Sequence, residues 1–149
     1  IRFKEKDIRE MGRTASGIRG IRLKKGDEVV GMDVVTNNKL QIINNKTLPP
    51  TYLFILSENG YGKRTDVKEY RIQTRGGSGI KTANVTDKTG SLVYAKVLEG
   101  SEEDLIVISR QGQVIRTPIT AIPKISRSTQ GVRIMRLDAG DKVVSAACM

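Results

Sequence analysis

The chain copies itself, and that constrains its fold more than any other feature. Arg2, Arg64 and Arg116 are each followed eleven positions later by a second arginine, Arg13, Arg75 and Arg127. Four residues further on come Gly17, Gly79 and Gly131, followed by Ile18, Ile80 and Val132. Leu53-Phe54-Ile55-Leu56-Ser57, with Gly60 behind it, answers Leu105-Ile106-Val107-Ile108-Ser109 with Gly112, at an offset of 52. Leu23-x-x-Gly26-Asp27-x-Val29-Val30 answers Leu137-x-x-Gly140-Asp141-x-Val143-Val144. The sequence therefore divides into three units, approximately 1–48, 49–100 and 101–149. The first offset is 62 rather than 52, which predicts about ten inserted residues in the stretch 36–50, where TNNK, NNK and PP are turn or loop chemistry. Units of this length cannot each bury a core alone and must stack on their neighbours.

Within each unit the apolar pattern is short and strand-like. LFIL and LIVI are four-residue runs bounded by Ser and Gly, the pattern of a strand covered on both faces. After each repeated glycine, apolar and basic residues mix, as in Ile18-Arg19-Gly20-Ile21-Arg22-Leu23 and Val132-Arg133-Ile134-Met135-Arg136-Leu137, which predicts half-exposed strands carrying cations outward. No window of eleven residues holds a clean helical period. An all-β chain follows, with about four short strands per unit, which is the signature of propeller blades. A β-sandwich would leave the duplication unexplained.

Several function classes fall away. There is no histidine and a single cysteine, Cys148, so no disulfide framework, no structural zinc site and no Ser-His or Cys-His nucleophile can be assembled. Gly60-Tyr61-Gly62-Lys63-Arg64-Thr65 hints at a nucleotide loop, but Ser57 and Arg64 stand where a P-loop needs Gly and Ser/Thr. Glu102-Glu103-Asp104 reads as an acidic turn before a strand, and the four tyrosines lack a nucleophile context. Neither a metal nor a cofactor is expected. No apolar run reaches the roughly 18 residues needed to span a bilayer, and no lysine-rich amphipathic helix appears, so the sequence predicts a soluble, cytoplasmic protein that does not bind membranes. A start at Ile1 followed by a run of charged residues predicts a piece of a larger protein.

Against 26 Lys and Arg stand 16 Asp and Glu, a net charge of +10, and polyanions are the natural partners of such a chain. Repetition turns scattered cations into sets: Arg2, Arg64 and Arg116; Arg13, Arg75 and Arg127; Arg19, Lys81 and Arg133. Arg22, Lys63 and Arg71 adjoin them. Duplex DNA carries one charge per roughly 1.7 Å of its axis, so a curved row of cations can follow it through counterion release, without reading sequence. Two Phe, four Tyr and no Trp are too few for a platform on which unpaired bases could stack, so double-stranded DNA is the better target. Charge reversal at Arg75, Arg127 and Arg133 is expected to flatten the salt dependence of binding. The loop Gln73-Thr74-Arg75-Gly76-Gly77-Ser78-Gly79 is the most glycine-rich version of a repeated segment, the others being GRTASGI (12–18) and SRSTQGV (126–132). Such glycines permit close approach to a phosphate backbone, or they simply make a turn.

EYRIQTRGGSGIKT (69–82) resembles the box motif of the C-terminal DNA-wrapping domains of DNA gyrase A subunits. So do residues 1–32, GYGKRT (60–65), EEDLIVISRQGQVIRT (102–117) and STQGVRIMRL (128–137), so that nearly the whole chain outside 36–50 takes part. The resemblance implies a β-pinwheel, of which three units are half a six-bladed disc, with a basic rim that wraps duplex DNA. It also implies a non-catalytic part of a type IIA topoisomerase that introduces negative supercoils, acting at the bacterial nucleoid with the rest of the gyrase A chain and with the gyrase B chain. Thr74 and Ser78 stand where the family's full box carries cations, and the repeat order is that of the carboxyl-terminal half of the disc, which would put the principal box, the catalytic tyrosine and the ATPase elsewhere. The related domain of the topoisomerase IV A chain is the alternative within the family, and a propeller-like scaffold for an acidic protein partner is the alternative outside it. Half a disc leaves open blade edges, ready templates for pairing with a second copy.

Overall fold

A computed structural model describes residues 1–36 and 50–149. Most of the predicted 36–50 insertion lies outside the described residues. Seven strands are present among them: β1 (Tyr52–Ser57), β2 (Tyr61–Asp66), β3 (Leu92–Leu98), β4 (Asp104–Ser109), β5 (Val114–Pro118), β6 (Val132–Arg133) and β7 (Val143–Cys148). They form two antiparallel sheets, ordered β3-β1-β2-β6 and β5-β4-β7. The duplication is preserved in register: Leu53 faces Thr65 across the β1–β2 hairpin, and Leu105 faces Thr117 across β4–β5.

The sheets do not follow the repeat boundaries. Unit 3 contributes β4, β5 and β7 to its own sheet but lends β6 to the sheet of unit 2, where Arg133 pairs with Tyr61 and Val132 with Gly62. Four strands in one sheet are therefore assembled from two units, and unit 1, which starts at the position that Lys63 holds in unit 2, has no strand among its described residues. Short 3-10 turns recur at Glu5–Asp7, Val67–Glu69 and Ile119–Ala121, at offsets of 62 and 52.

The core lies between the two sheets. Phe54, Leu56, Leu98, Leu105, Val107, Ile119, Ile122, Met135 and Val143 form one buried cluster. LFIL is buried on both faces, as its composition predicts, because Ile55 on the opposite side is also covered. LIVI is not: Leu105 and Val107 are sealed, whereas Ile108 stands 38% exposed. The reason is position, since unit 2 packs against unit 3 on one side of β4, while the other side, with Ile106 and Ile108, is only partly covered.

Candidate nucleic-acid interface

Each unit is joined to the next by backbone bonds that recur at equivalent positions. Gln73 N–H donates to Arg2 O (2.8 Å), and Ile125 N–H donates to Arg64 O (2.9 Å). Arg22 N–H donates to Gly77 O (2.9 Å), and Asn84 N–H to Thr129 O (3.1 Å). These staples hold the repeated loops and decide which cations remain available.

The first predicted set is largely consumed. Arg64 is 8% exposed and donates through Nε and Nη2 to Ile122 O (2.8 and 2.6 Å) and through Nη2 to Thr120 O (3.2 Å). Arg2 does the same one unit earlier, to Val67 O (3.0 Å) and Tyr70 O (3.2 Å). Both guanidinia clamp the carbonyls of the following unit's 3-10 turn. Arg116, the third copy, stays exposed and pairs with Asp104 of its own unit. Lys63 is also corrected: it is fully buried, and its ammonium donates to Ser126 O and Arg127 O (both 2.7 Å) and to Thr129 O and Oγ1 (both 3.1 Å). Burial pulls its pKa down to about 8, with Glu69 opposing and Arg127 assisting. Adjacent basic residues in a strand look alike in sequence whether they point to water or to a ring of carbonyls, and only the neighbouring unit supplies the carbonyls.

The second set bridges as well. Arg75 donates to Asp7 O (3.1 Å) and to Arg19 O, and Arg127 donates to Lys81 O (2.7 Å). Both are half-buried, so an outward role limited to these two guanidinia does not fit the geometry. Arg13 is exposed and has no hydrogen-bond partner among the described residues.

The glycine-rich loop resolves in the same way. Gly76 N–H donates to Gly20 O (2.8 Å), Gly77 accepts from Arg22, and Gly79, with φ of +77°, lies against Ile1. Gln73 faces the joint with its side-chain oxygen buried. Thr74 and Ser78 are exposed. The loop is a turn whose glycines allow close approach, but the backbone they approach is that of unit 1.

What remains outward is Arg13, the ion-paired Arg116 and the third set, Arg19, Lys81 and Arg133, together with Arg22 and Arg71. The Arg19 and Lys81 main chains are the ones gripped by Arg75 and Arg127, so an arginine of the next unit fixes the backbone beneath these two exposed cations. Lys81 Nζ donates to Asn84 Oδ1 (2.8 Å). Arg133 donates to the Tyr61 hydroxyl (3.0 Å) and lies 5.5 Å from its ring centre, with Lys88 Nζ at 5.5 Å as well. The Arg133 hydrogen bond holds the Tyr61 hydroxyl below its ordinary pKa. Arg136 lines the same recess, as do Asp138 and Asp141. The sequence reasoning missed Arg136 and Lys88. Arg136 could have been found, because it repeats Arg22 at an offset of 114; Lys88 sits in a turn without a basic counterpart.

No helix among the described residues is long and apolar enough to cross a membrane, and no His, Cys, Asp or Glu cluster there could hold a metal. The family description "DNA gyrase C-terminal domain, beta-propeller" matches residues 1–36, 51–99 and 103–148. The DNA gyrase A chain of Staphylococcus aureus, as in strain MRSA252, is 43% identical over 145 residues, which are 97% of this chain and 15% of the relative. The chain thus spans a small fraction of the curated relatives it matches. The solved structure of a DNA gyrase A C-terminal domain superposes with a TM-score of 0.76 at 27% identity, covering 98% of this chain and 45% of that one. The C-terminal domain of a DNA topoisomerase IV superposes at 0.74 with 23% identity, covering 92% and 40%, a likeness of fold. The match to the family over all three repeats, with the stapled blades that those repeats build, makes this chain a member of the DNA gyrase C-terminal β-propeller family.

Proposed function

We propose that the chain is a non-catalytic module that binds and wraps duplex DNA on a basic rim, without reading its sequence, as part of a gyrase. The observation that carries this reading is the exposure of one cation per unit, Arg19, Lys81 and Arg133, at a position where two of the three backbones are anchored by the following unit. Cations repeated once per unit suit a phosphate backbone, which offers charge at a regular interval and rewards counterion release. Arg22, Arg71, Lys88 and Arg136 widen the belt. In this reading the gyrase B chain, together with the remainder of the gyrase A chain, supplies strand cleavage and ATP turnover. The wrap favours negative supercoils, and the site of action is the nucleoid in a bacterial cytoplasm.

Binding of plasmid-length duplex, measured against salt, tests it. Log affinity should fall with log salt by about 0.9 per phosphate neutralised, and reversing Arg19, Lys81 and Arg133 together to Glu should flatten that slope by about two to three. An unchanged slope removes these residues from the interface. A scaffold for an acidic protein would leave the linking number of relaxed and religated plasmid unchanged, whereas a wrapping module shifts it.

A further inference from the structure

The seam between units 2 and 3 holds a tyrosine whose hydroxyl proton the fold does not use. Tyr61 and Arg133 stand opposite each other where β2 pairs with β6, which brings their side chains to one face of that short ladder. Arg133 donates to the Tyr61 hydroxyl at 3.0 Å, and the hydroxyl has no acceptor for its own proton among the described residues. The Arg133 guanidinium and Lys88 Nζ each lie 5.5 Å from the ring centre. Both cations line one recess with Tyr61 and Arg136, and every residue lining it belongs to unit 2 or unit 3.

We propose that this recess is a phosphodiester subsite: a phosphate oxygen of the duplex accepts the Tyr61 hydroxyl proton beside the Arg133 guanidinium and the Lys88 ammonium. The inference rests on the DNA-binding reading above and deepens it, because it makes an uncharged side chain a ligand of the duplex in its own right.

A phenol has one proton to donate and lone pairs with which to accept. Arg133 occupies a lone pair of Tyr61, so the proton is left for a further partner, and the same arginine makes the hydroxyl a stronger donor by holding its pKa below the ordinary value. A partner that accepts a proton and sits among Lys88, Arg133 and Arg136 is an anion. The opposing charges of the recess are Asp138 and Asp141, and both are engaged within unit 3. Asp138 Oδ2 accepts from Gln113 Nε2 at 2.5 Å, while Asp141, 5% exposed, accepts at Oδ1 from the Gln111 and Lys142 N–H groups at 3.1 and 2.8 Å. Tyr61 itself is 9% exposed, so its ring faces are covered and a stacked base has no platform there. A phosphate oxygen needs only the hydroxyl.

The repeat marks this seam as a departure from the pattern. At an offset of 52, Gln113 takes the place of Tyr61 and turns its amide to Asp138. At the position of Lys88, units 1 and 3 carry Gly26 and Gly140, both in turns with positive φ (+85° and +79°). Unit 2 therefore gives up a turn glycine for a lysine, and it does so next to the one tyrosine that a neighbouring arginine already polarises. The two exchanges together convert a turn into an anion recess.

Tyr61→Phe removes a hydrogen bond and no charge, which separates a ligand from a general field. With the fold verified by melting, the variant should bind duplex about fivefold or more weakly at every salt concentration, with the salt slope unchanged. Lys88→Gln should instead reduce the slope by about 0.9. NMR of tyrosine labelled with carbon-13 at Cζ, with the Tyr61 signal identified by its loss in Tyr61→Phe, reads the contact directly. Saturating duplex should raise the Tyr61 pKa, because an anion accepting the proton opposes its loss. A Tyr61→Phe variant that binds as tightly as wild type, or a Tyr61 pKa unmoved by saturating duplex, overturns the subsite and leaves the basic rim standing. A changed salt slope in Tyr61→Phe also overturns it, since the hydroxyl would then act only by placing Arg133. A Tyr61 signal that responds to inorganic phosphate and not to duplex rejects DNA as the source of the anion. Absence of duplex binding by the folded wild type at any salt concentration removes the rim reading and the subsite together.

Discussion

Arg64 and Arg116 hold one position of the repeat, and their surroundings give them different weight. Arg64 satisfies two carbonyls in a buried joint, so Arg64→Ala strands acceptors that water reaches poorly and should cost about 2–4 kcal/mol. Arg116 faces water and Asp104, and Arg116→Ala should stay within about 0.5 kcal/mol. Equal losses in urea unfolding would remove the distinction. Lys63 carries a pH signature. Its pKa is lowered to about 8 from an ordinary 10.5, so the folded protein sheds a proton between those values that the unfolded chain keeps. Its contribution to stability is therefore least below pH 8 and grows as pH rises toward 10.5. Lys63→Met leaves four acceptor contacts empty and should cost about 1–3 kcal/mol at pH 7. The gap between wild type and variant should widen from about pH 8 to about pH 10; a gap that narrows contradicts the burial argument. GYGKRT showed two adjacent cations, but that both face carbonyls of unit 3 depended on residues some 60 positions away.

Among the elements, the blade joint is made by strand lending. β6 crosses from unit 3 to the edge of β2, and the approach is so close that a β-carbon on Gly131 would sit 2.7 Å from Gly62 O, at a φ of +88°. Gly112 has a similar φ of +85° with open space around it. Gly131→Ala should therefore destabilise by more than the backbone strain of about 1–2 kcal/mol expected for Gly112→Ala, and thermal unfolding of the two variants measures the difference. The hairpins β1–β2 and β4–β5 were readable from LFIL and LIVI with the glycines behind them. The lending of β6 was not, because a two-residue strand leaves no periodicity and its partner is chosen by packing.

Across the whole molecule, the joints and the rim are separate jobs for residues that look alike. Arg75→Glu removes a staple to Asp7 and Arg19, so it should lower the melting temperature while leaving the salt slope of DNA binding nearly intact. Lys81→Glu should do the reverse, reducing the slope by about 0.9 with little change in melting. Matching effects of both on slope would return Arg75 to the rim. The threefold duplication, the all-β class and the sign of the field were all legible in the residues alone, because periodic apolar runs and net charge are local or additive quantities. Which cations face water was settled by packing. A guanidinium bonds as readily to a stranded carbonyl as to a phosphate, and the carbonyls that captured Arg2, Lys63, Arg64, Arg75 and Arg127 come into reach only when one unit packs against the next.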